Sequence, residues 1–208
     1  MSLLFSIIAV IIGVTVHEFS HAWVADRLGD PTPRHLGRLT LNPLAHFDLF
    51  GTLALIIFKI GWGKPVPFNP NYLKHPKRDA ALISLAGPCA NLLTAIIVAI
   101  PLKYLAQTPF GESPFYTLLG VIFWISLVLF SLNVLPIPPL DGSKIIGIFI
   151  PARFHYHYEQ YLRDGVKFFL IFILFDQFLL VSIFGSSVLG TIIFGLAQWI
   201  ATLISLGT

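Results

Sequence analysis

Cysteine is nearly absent: the 208 residues hold one, Cys89. No disulfide can close within the chain, and no cysteine-built zinc site can form from it. Set in an apolar run, Cys89 reads as a small packing residue. Charge is scarce as well. Charged residues make up 11%, against about 25% in ordinary soluble domains. Apolar residues make up 56%, which marks an integral membrane protein. The net charge of +3 is too small to suggest a nucleic-acid partner, so the basic residues are better read as topology signals. Residues 1–16 contain no Lys or Arg, so no cleavable signal peptide is expected. There is no internal repeat, no low-complexity tract and no appended soluble domain, and one domain is expected.

Against this apolar background stands His17-Glu18-Phe19-Ser20-His21. Histidines at i and i+4 lie on one face of a helix, one turn apart. Two imidazoles so placed suit one zinc ion. Glu18, beside the first, is placed to take a proton from metal-bound water. This is the signature of zinc hydrolases. An ionisable cluster in an apolar span is costly and is by default functional.

The rest of the chain reads as an all-α polytopic membrane protein with five to six membrane helices. Spans are expected at residues 3–25, 79–104, 116–136, 166–184 and 187–206. Residues 49–60 are apolar but too short to cross a bilayer, which needs about 20 residues. That piece is expected to be re-entrant or extended, between the first two spans. Gly61 to Pro70 holds three prolines and two glycines, which forbid a helix. It is either a structural loop or an edge for strand addition. Residues 151–165 read as a mixed polar link before the last two spans. With the N-terminus outside, twelve of the thirteen Lys and Arg residues fall on the cytoplasmic side, as the positive-inside rule requires.

A catalytic zinc usually has three protein ligands and a water. The topology points to Asp141 as the third. The first and third spans both run inward, and Asp141 follows the third at a similar depth. Pro136, Pro138 and Pro139 make the approach extended and stiff, and Gly142 permits a sharp turn after it. Asp141 could also cap the following helix. Glu18 would pass the water proton to the leaving amine. Asn91 or Asn133 could donate to the oxyanion or to substrate backbone, or simply bond between helices. His46 and Asp48 are candidates for orienting a ligand or for structural work. His155 and His157 sit in an aromatic stretch suited to the membrane interface. His35 and His75 read as surface positions. Asp176, in an apolar run, has no assignable role.

These motifs, with Ala86-Gly87-Pro88-Cys89-Ala90-Asn91 and Asn133 through Gly142, resemble the site-2 protease family (the M50 intramembrane zinc metalloproteases). The stretches Asn42 to Gly51 and Gly61 to Pro70 resemble the family's compact microbial members. The resemblance covers roughly residues 10–150. It implies one Zn2+ per chain held by His17, His21 and Asp141, with Glu18 as general base. It implies that Asn91 and Asn133 contact substrate or support the site. It also implies cleavage of membrane-protein substrates in or near the bilayer of a prokaryotic cell membrane, with the active site toward the cytoplasm. The chain has no room for the PDZ or CBS domains of many members. A single membrane domain is expected over residues 1–208, with a catalytic core at about 1–150 and accessory helices at 151–208 that could gate entry or mediate self-association. The competing reading is a zinc transporter, which explains the histidines but leaves Glu18 without a task.

Overall fold

The structure, a computed structural model, describes residues 2–48, 51 and 63–207. Five helices among these are long and apolar enough to cross a membrane: Leu3–Arg27, Pro76–Leu105, Pro114–Asn133, Ala152–Phe184 and Val188–Ser205. The all-α polytopic reading therefore stands. The re-entrant piece expected at 49–60 lies outside the described residues apart from Gly51, as do Gly61 and Trp62.

Helix α1, Ser2–Arg27, contains no proline and no internal charge before Glu18. It stops where Gly29 takes φ +104°, a conformation that costs glycine little. A short helix α2, Thr32–His35, follows. Helix α3 is Pro76–Leu105 and opens with proline, whose fixed φ suits a first helical position. Asp79 reaches back to accept the His75 N–H at 2.9 Å. Helix α4 is Pro114–Asn133, and the Ser113 side chain caps it by accepting the Tyr116 N–H. It ends three residues earlier than the expected span, ahead of Pro136. A tight turned segment leads to helix α5, Asp141–Ile145.

Helices α1, α3 and α4 pack on one another, α8 (Val188–Gly207) packs on α4, and α5 packs on α3. Small residues permit close approach. Ala95, Leu127, Ala197, Ile200 and Ala201 form one buried cluster, joined by Leu92 and Phe123. The outer surface is apolar, and polar groups are buried beside this apolar cluster. Leu93, Ile97, Phe168, Phe178 and Phe194 are exposed, whereas His17, His21, Asn91, Ser126 and Asp176 are buried. That inversion suits lipid, where small residues and hydrogen bonds, rather than apolar burial, hold helices together.

One expectation needs correction. Residues 155–165 are not a link. They begin helix α6, His155–Phe175, which continues through a π-helical turn, Asp176–Leu180, into α7, Val181–Phe184. Nothing in the stretch breaks a helix. It has no proline, and its one glycine, Gly165, is buried where an added Cβ would stand 2.7 Å from the Pro138 ring. The break expected after residue 184 is real: Gly185 takes φ +74° and ends the helix. Asp176 acquires a role there. Its carboxylate accepts the Val188 N–H at 2.8 Å and the Ser187 hydroxyl at 2.5 Å, capping α8 from the neighbouring helix.

Candidate metal centre

His17 and His21 project from one face of α1, both 7% exposed, with ring centroids 4.6 Å apart and planes at 87°. Asp141, at the start of α5, meets them from 120 residues away. Its Oδ2 lies 3.0 Å from His17 Nε2 and 3.2 Å from His21 Nε2, and the two Nε2 atoms are 3.0 Å apart. Three donor atoms thus form a nearly equilateral triangle. Tetrahedral zinc with bonds of 2.0–2.2 Å requires ligand atoms about 3.3–3.5 Å apart. The triangle is only slightly tighter than that, and two neutral nitrogens with one carboxylate oxygen are the donor types zinc prefers. It is also the one group of three or more metal-ligating side chains found among the described residues.

Room beside the triangle is kept by Gly87 on α3. A Cβ there would stand 2.5 Å from His21 Nε2 and 2.6 Å from His17 Nε2. Gly142 serves a different purpose. It does not take a positive φ. An added Cβ would lie 2.3 Å from the carbonyl oxygens of both Val134 and Leu135, so only glycine lets α5 start so close to the preceding turn. The capping alternative for Asp141 does not hold. Leu140 occupies the cap position of α5 and no side chain caps it. The Asp141 carboxylate faces the histidines instead. Burial acts to raise its pKa, but the neighbouring His21 and His17 rings, when they are protonated, outweigh that and hold it well below the usual carboxylate range.

The outer nitrogens of the rings are engaged by α3. His21 Nδ1 lies 2.6 Å from the Ile83 carbonyl oxygen. A carbonyl only accepts, so Nδ1 carries the proton and Nε2 presents its lone pair toward Asp141 and His17. His17 Nδ1 lies 3.1 Å from the amide of Asn91, which is fully buried. Asn133 is placed differently. Its amide donates to the Leu129 carbonyl of its own helix at 3.0 Å.

Glu18 is tied to the extended segment that follows residue 62. Its Oε2 accepts the Val66 N–H at 3.2 Å. That segment is pinned at both ends. Gly63 bridges Phe47 in antiparallel fashion, and Lys64 donates its N–H to the His46 carbonyl at 2.8 Å. The buried Arg38 guanidinium donates to the carbonyls of Ala45 and Lys64. At the far end the Asn69 N–H reaches Asp30 Oδ2 at 2.6 Å, while Asp30 Oδ1 takes the Thr32 N–H at 3.0 Å. His46 donates from Nε2 to the Thr40 carbonyl at 2.8 Å, which places it in this support. Asp48 accepts the Gly51 N–H.

A second support holds the Asp141 side. The Tyr158 hydroxyl donates to the Ser143 carbonyl at 3.0 Å, and the Tyr161 hydroxyl donates to the Pro136 carbonyl. Both come from α6. Asp30, Arg38, Val66, Tyr158 and Tyr161 escaped the sequence reading. Only Asp30-Pro31-Thr32 carried a local signal, an acceptor side chain two residues before a free N–H. His155 pairs at 3.6 Å with Glu159 on the exposed face of α6. His35 and His75 lie at exposed positions. Cys89 is exposed on α3 rather than packed.

The family model for peptidase family M50 matches residues 5–118 and 105–175. A Bacillus subtilis (strain 168) protein provisionally named zinc metalloprotease YwhC is 38% identical over 175 residues, which are 79% of this chain and 78% of the relative. Two mycobacterial proteins provisionally named zinc metalloprotease Rip2 are also similar. The one from Mycolicibacterium smegmatis is 34% identical over 137 residues, 64% of this chain and 52% of its own length. The one from Mycobacterium tuberculosis H37Rv is 29% identical over 200 residues, 91% of this chain and 70% of its own. No solved structure matches the chain. The family match covers most of a chain whose membrane-length helices enclose a zinc-type donor set, and we conclude that this zinc metalloendopeptidase of the membrane belongs to peptidase family M50.

Proposed function

We propose that the chain is an intramembrane endopeptidase. In this reading it cuts membrane-protein substrates within or beside the bilayer, with His17, His21 and Asp141 holding one Zn2+ and Glu18 as general base. The observation that carries the reading is the convergence of the Asp141 carboxylate on two histidines of a membrane-length helix.

Bound there, zinc would supply Lewis acidity toward the scissile carbonyl and an acidified water. The protein's own groups do the rest. Glu18, one residue from His17, accepts the water proton and returns it to the leaving nitrogen. The Val66 N–H holds one Glu18 oxygen, leaving the other to act. Asn133 remains the candidate donor to substrate backbone or oxyanion, with Asn91 as the alternative. The catalytic core lies at about 1–150 of a single domain, with α6 bracing the Asp141 turn and α8 packed on α4. The cationic residues on the loops favour a cytoplasmic opening in a prokaryotic cell membrane.

A helical substrate must unwind before attack, because its peptide bonds are hidden. Unpaired backbone groups in lipid cost several kcal/mol each, so extended substrate needs partners. Residues 64–67 could supply them through carbonyls only. The Lys64 and Val66 N–H groups are spent within the protein, and Pro65 and Pro67 have none.

The reading is tested by reconstituting the protein in liposomes with single-span substrates and mapping the cut by mass spectrometry. Cuts inside or at the edge of the apolar segment support it. Cuts confined to soluble flanks, or equal rates on unstructured soluble peptides, contradict it.

A further inference from the structure

The Asn91 amide nitrogen lies 3.1 Å from His17 Nδ1, whereas its amide oxygen is buried with no hydrogen-bond partner. An orphaned acceptor at a fully buried position is uncommon and calls for a reason. As placed, the amide would donate to Nδ1. That puts the imidazole proton on Nε2, the atom facing His21 and Asp141. A metal ligand needs the opposite tautomer, with the lone pair on Nε2 and the proton on Nδ1. The two ends of an amide differ little in shape, and a half-turn exchanges them in the same volume. After that turn the oxygen receives the Nδ1–H, and the tautomer becomes the one that His21 already has through Ile83.

We propose that Asn91 is a positioning residue for the metal: its amide oxygen accepts the Nδ1–H of His17 and fixes the tautomer whose Nε2 lone pair faces zinc. Ile83 and Asn91 are eight residues apart on α3, close to two turns plus a fraction, so one face of this helix sets both rings. Pro88 lies between them. It cannot donate an N–H to the Ser84 carbonyl and loosens the turn next to Ile83. Helix α3 thereby supplies both outer hydrogen bonds while α1 supplies both ligands. The half-turn also carries the amide –NH2 to the place of the orphaned oxygen, leaving its donors for a water or a substrate carbonyl.

The inference rests on His17 as a zinc ligand, and the test separates the two. Zinc dissociation constants are measured by chelator competition on the full chain in detergent, for wild type, Asn91→Leu and Asn91→Asp. Loss of an outer partner of a ligating histidine typically weakens metal affinity about 10–100-fold. Asn91→Leu is expected to fall in that range. Asn91→Asp keeps an acceptor and is expected to bind zinc within about tenfold of wild type, as carboxylate–histidine–metal arrangements do. Wild-type affinity in Asn91→Leu with lowered turnover would overturn the proposal in favour of direct substrate contact. Equal loss in both variants would overturn it in favour of helix packing. Should Asn91→Leu not fold, 15N NMR of histidine-labelled, zinc-loaded wild type decides. A protonated Nδ1 on His17 supports the proposal, and a protonated Nε2 or a zinc-bound Nδ1 contradicts it. Failure of wild type to bind zinc would instead refute the ligand set itself.

Discussion

Val66 donates its backbone N–H to Glu18 Oε2 at 3.2 Å, and the prolines at 65 and 67 make it the sole N–H between Lys64 and Phe68. The extended segment is therefore coupled to Glu18, the proposed general base, through this bond. A hydrogen bond to a charged group contributes about 1.5–3 kcal/mol. Val66→Pro removes the donor and leaves the carboxylate in place. Turnover is expected to fall about tenfold or more, since each 1.36 kcal/mol is a factor of ten. Zinc content should stay at the wild-type value, which metal analysis beside a kinetic assay would check.

Gly87 gives a steric prediction. Its missing side chain is the space into which the two histidine nitrogens face, at 2.5–2.6 Å from an added Cβ. Gly87→Ala should expel metal and abolish activity although alanine favours helix by about 1 kcal/mol. Gly120, in α4, meets nothing within 4 Å. Gly120→Ala is the matched control and should retain zinc and activity. Metal content of both variants after gel filtration decides.

Asp30 ties α2 to the far end of the extended segment through two backbone N–H groups. Replacing it with alanine leaves those donors without their partner. The expected cost is about 1 kcal/mol of stability, the net worth of a typical hydrogen bond, because Thr32 and Asn69 are half-buried. Because Asp30 holds the segment and not the metal triangle, Asp30→Ala should lose activity while binding zinc. Thermal melts with and without chelator would show a lowered midpoint and an intact shift on adding metal.

The brace from α6 predicts a role for residues beyond the proposed catalytic core. Tyr158→Phe removes the hydroxyl that serves the Ser143 carbonyl, two residues from Asp141. A stability loss of about 1 kcal/mol is expected, together with faster zinc release in stopped-flow chelation. Release at the wild-type rate would show that α6 does not steady Asp141.

Much of this centre was legible in the sequence because its chemistry is local. His17, Glu18 and His21 share one helical turn, so their spacing alone fixes a common face. Asp141 could be reached only through topology, from two inward-running helices ending at one depth and a proline-stiffened approach. Asn91, beside His17, stood out as a polar residue in an apolar span, but the hydrogen bonds made by backbone groups were not legible. The partner of His21 is the carbonyl of Ile83, a group every residue carries, and the partner of Glu18 is the N–H of Val66. Backbone donors and acceptors leave no mark on residue identity. The first half of α6 was hidden for another reason. Its polar residues suggested a link, yet the helix carries them on an outer face while Gly165 and Phe169 are buried. Asp176 was visible as an anomaly, but its task depended on where Ser187 and Val188 would lie.

The most direct test combines zinc per chain with cleavage of single-span substrates for the purified wild type, Glu18→Gln and Asp141→Ala. The account predicts one zinc per chain in wild type and in Glu18→Gln, cleavage by wild type alone, and loss of both metal and cleavage in Asp141→Ala. Full zinc occupancy in Asp141→Ala, or undiminished cleavage by Glu18→Gln, would contradict it.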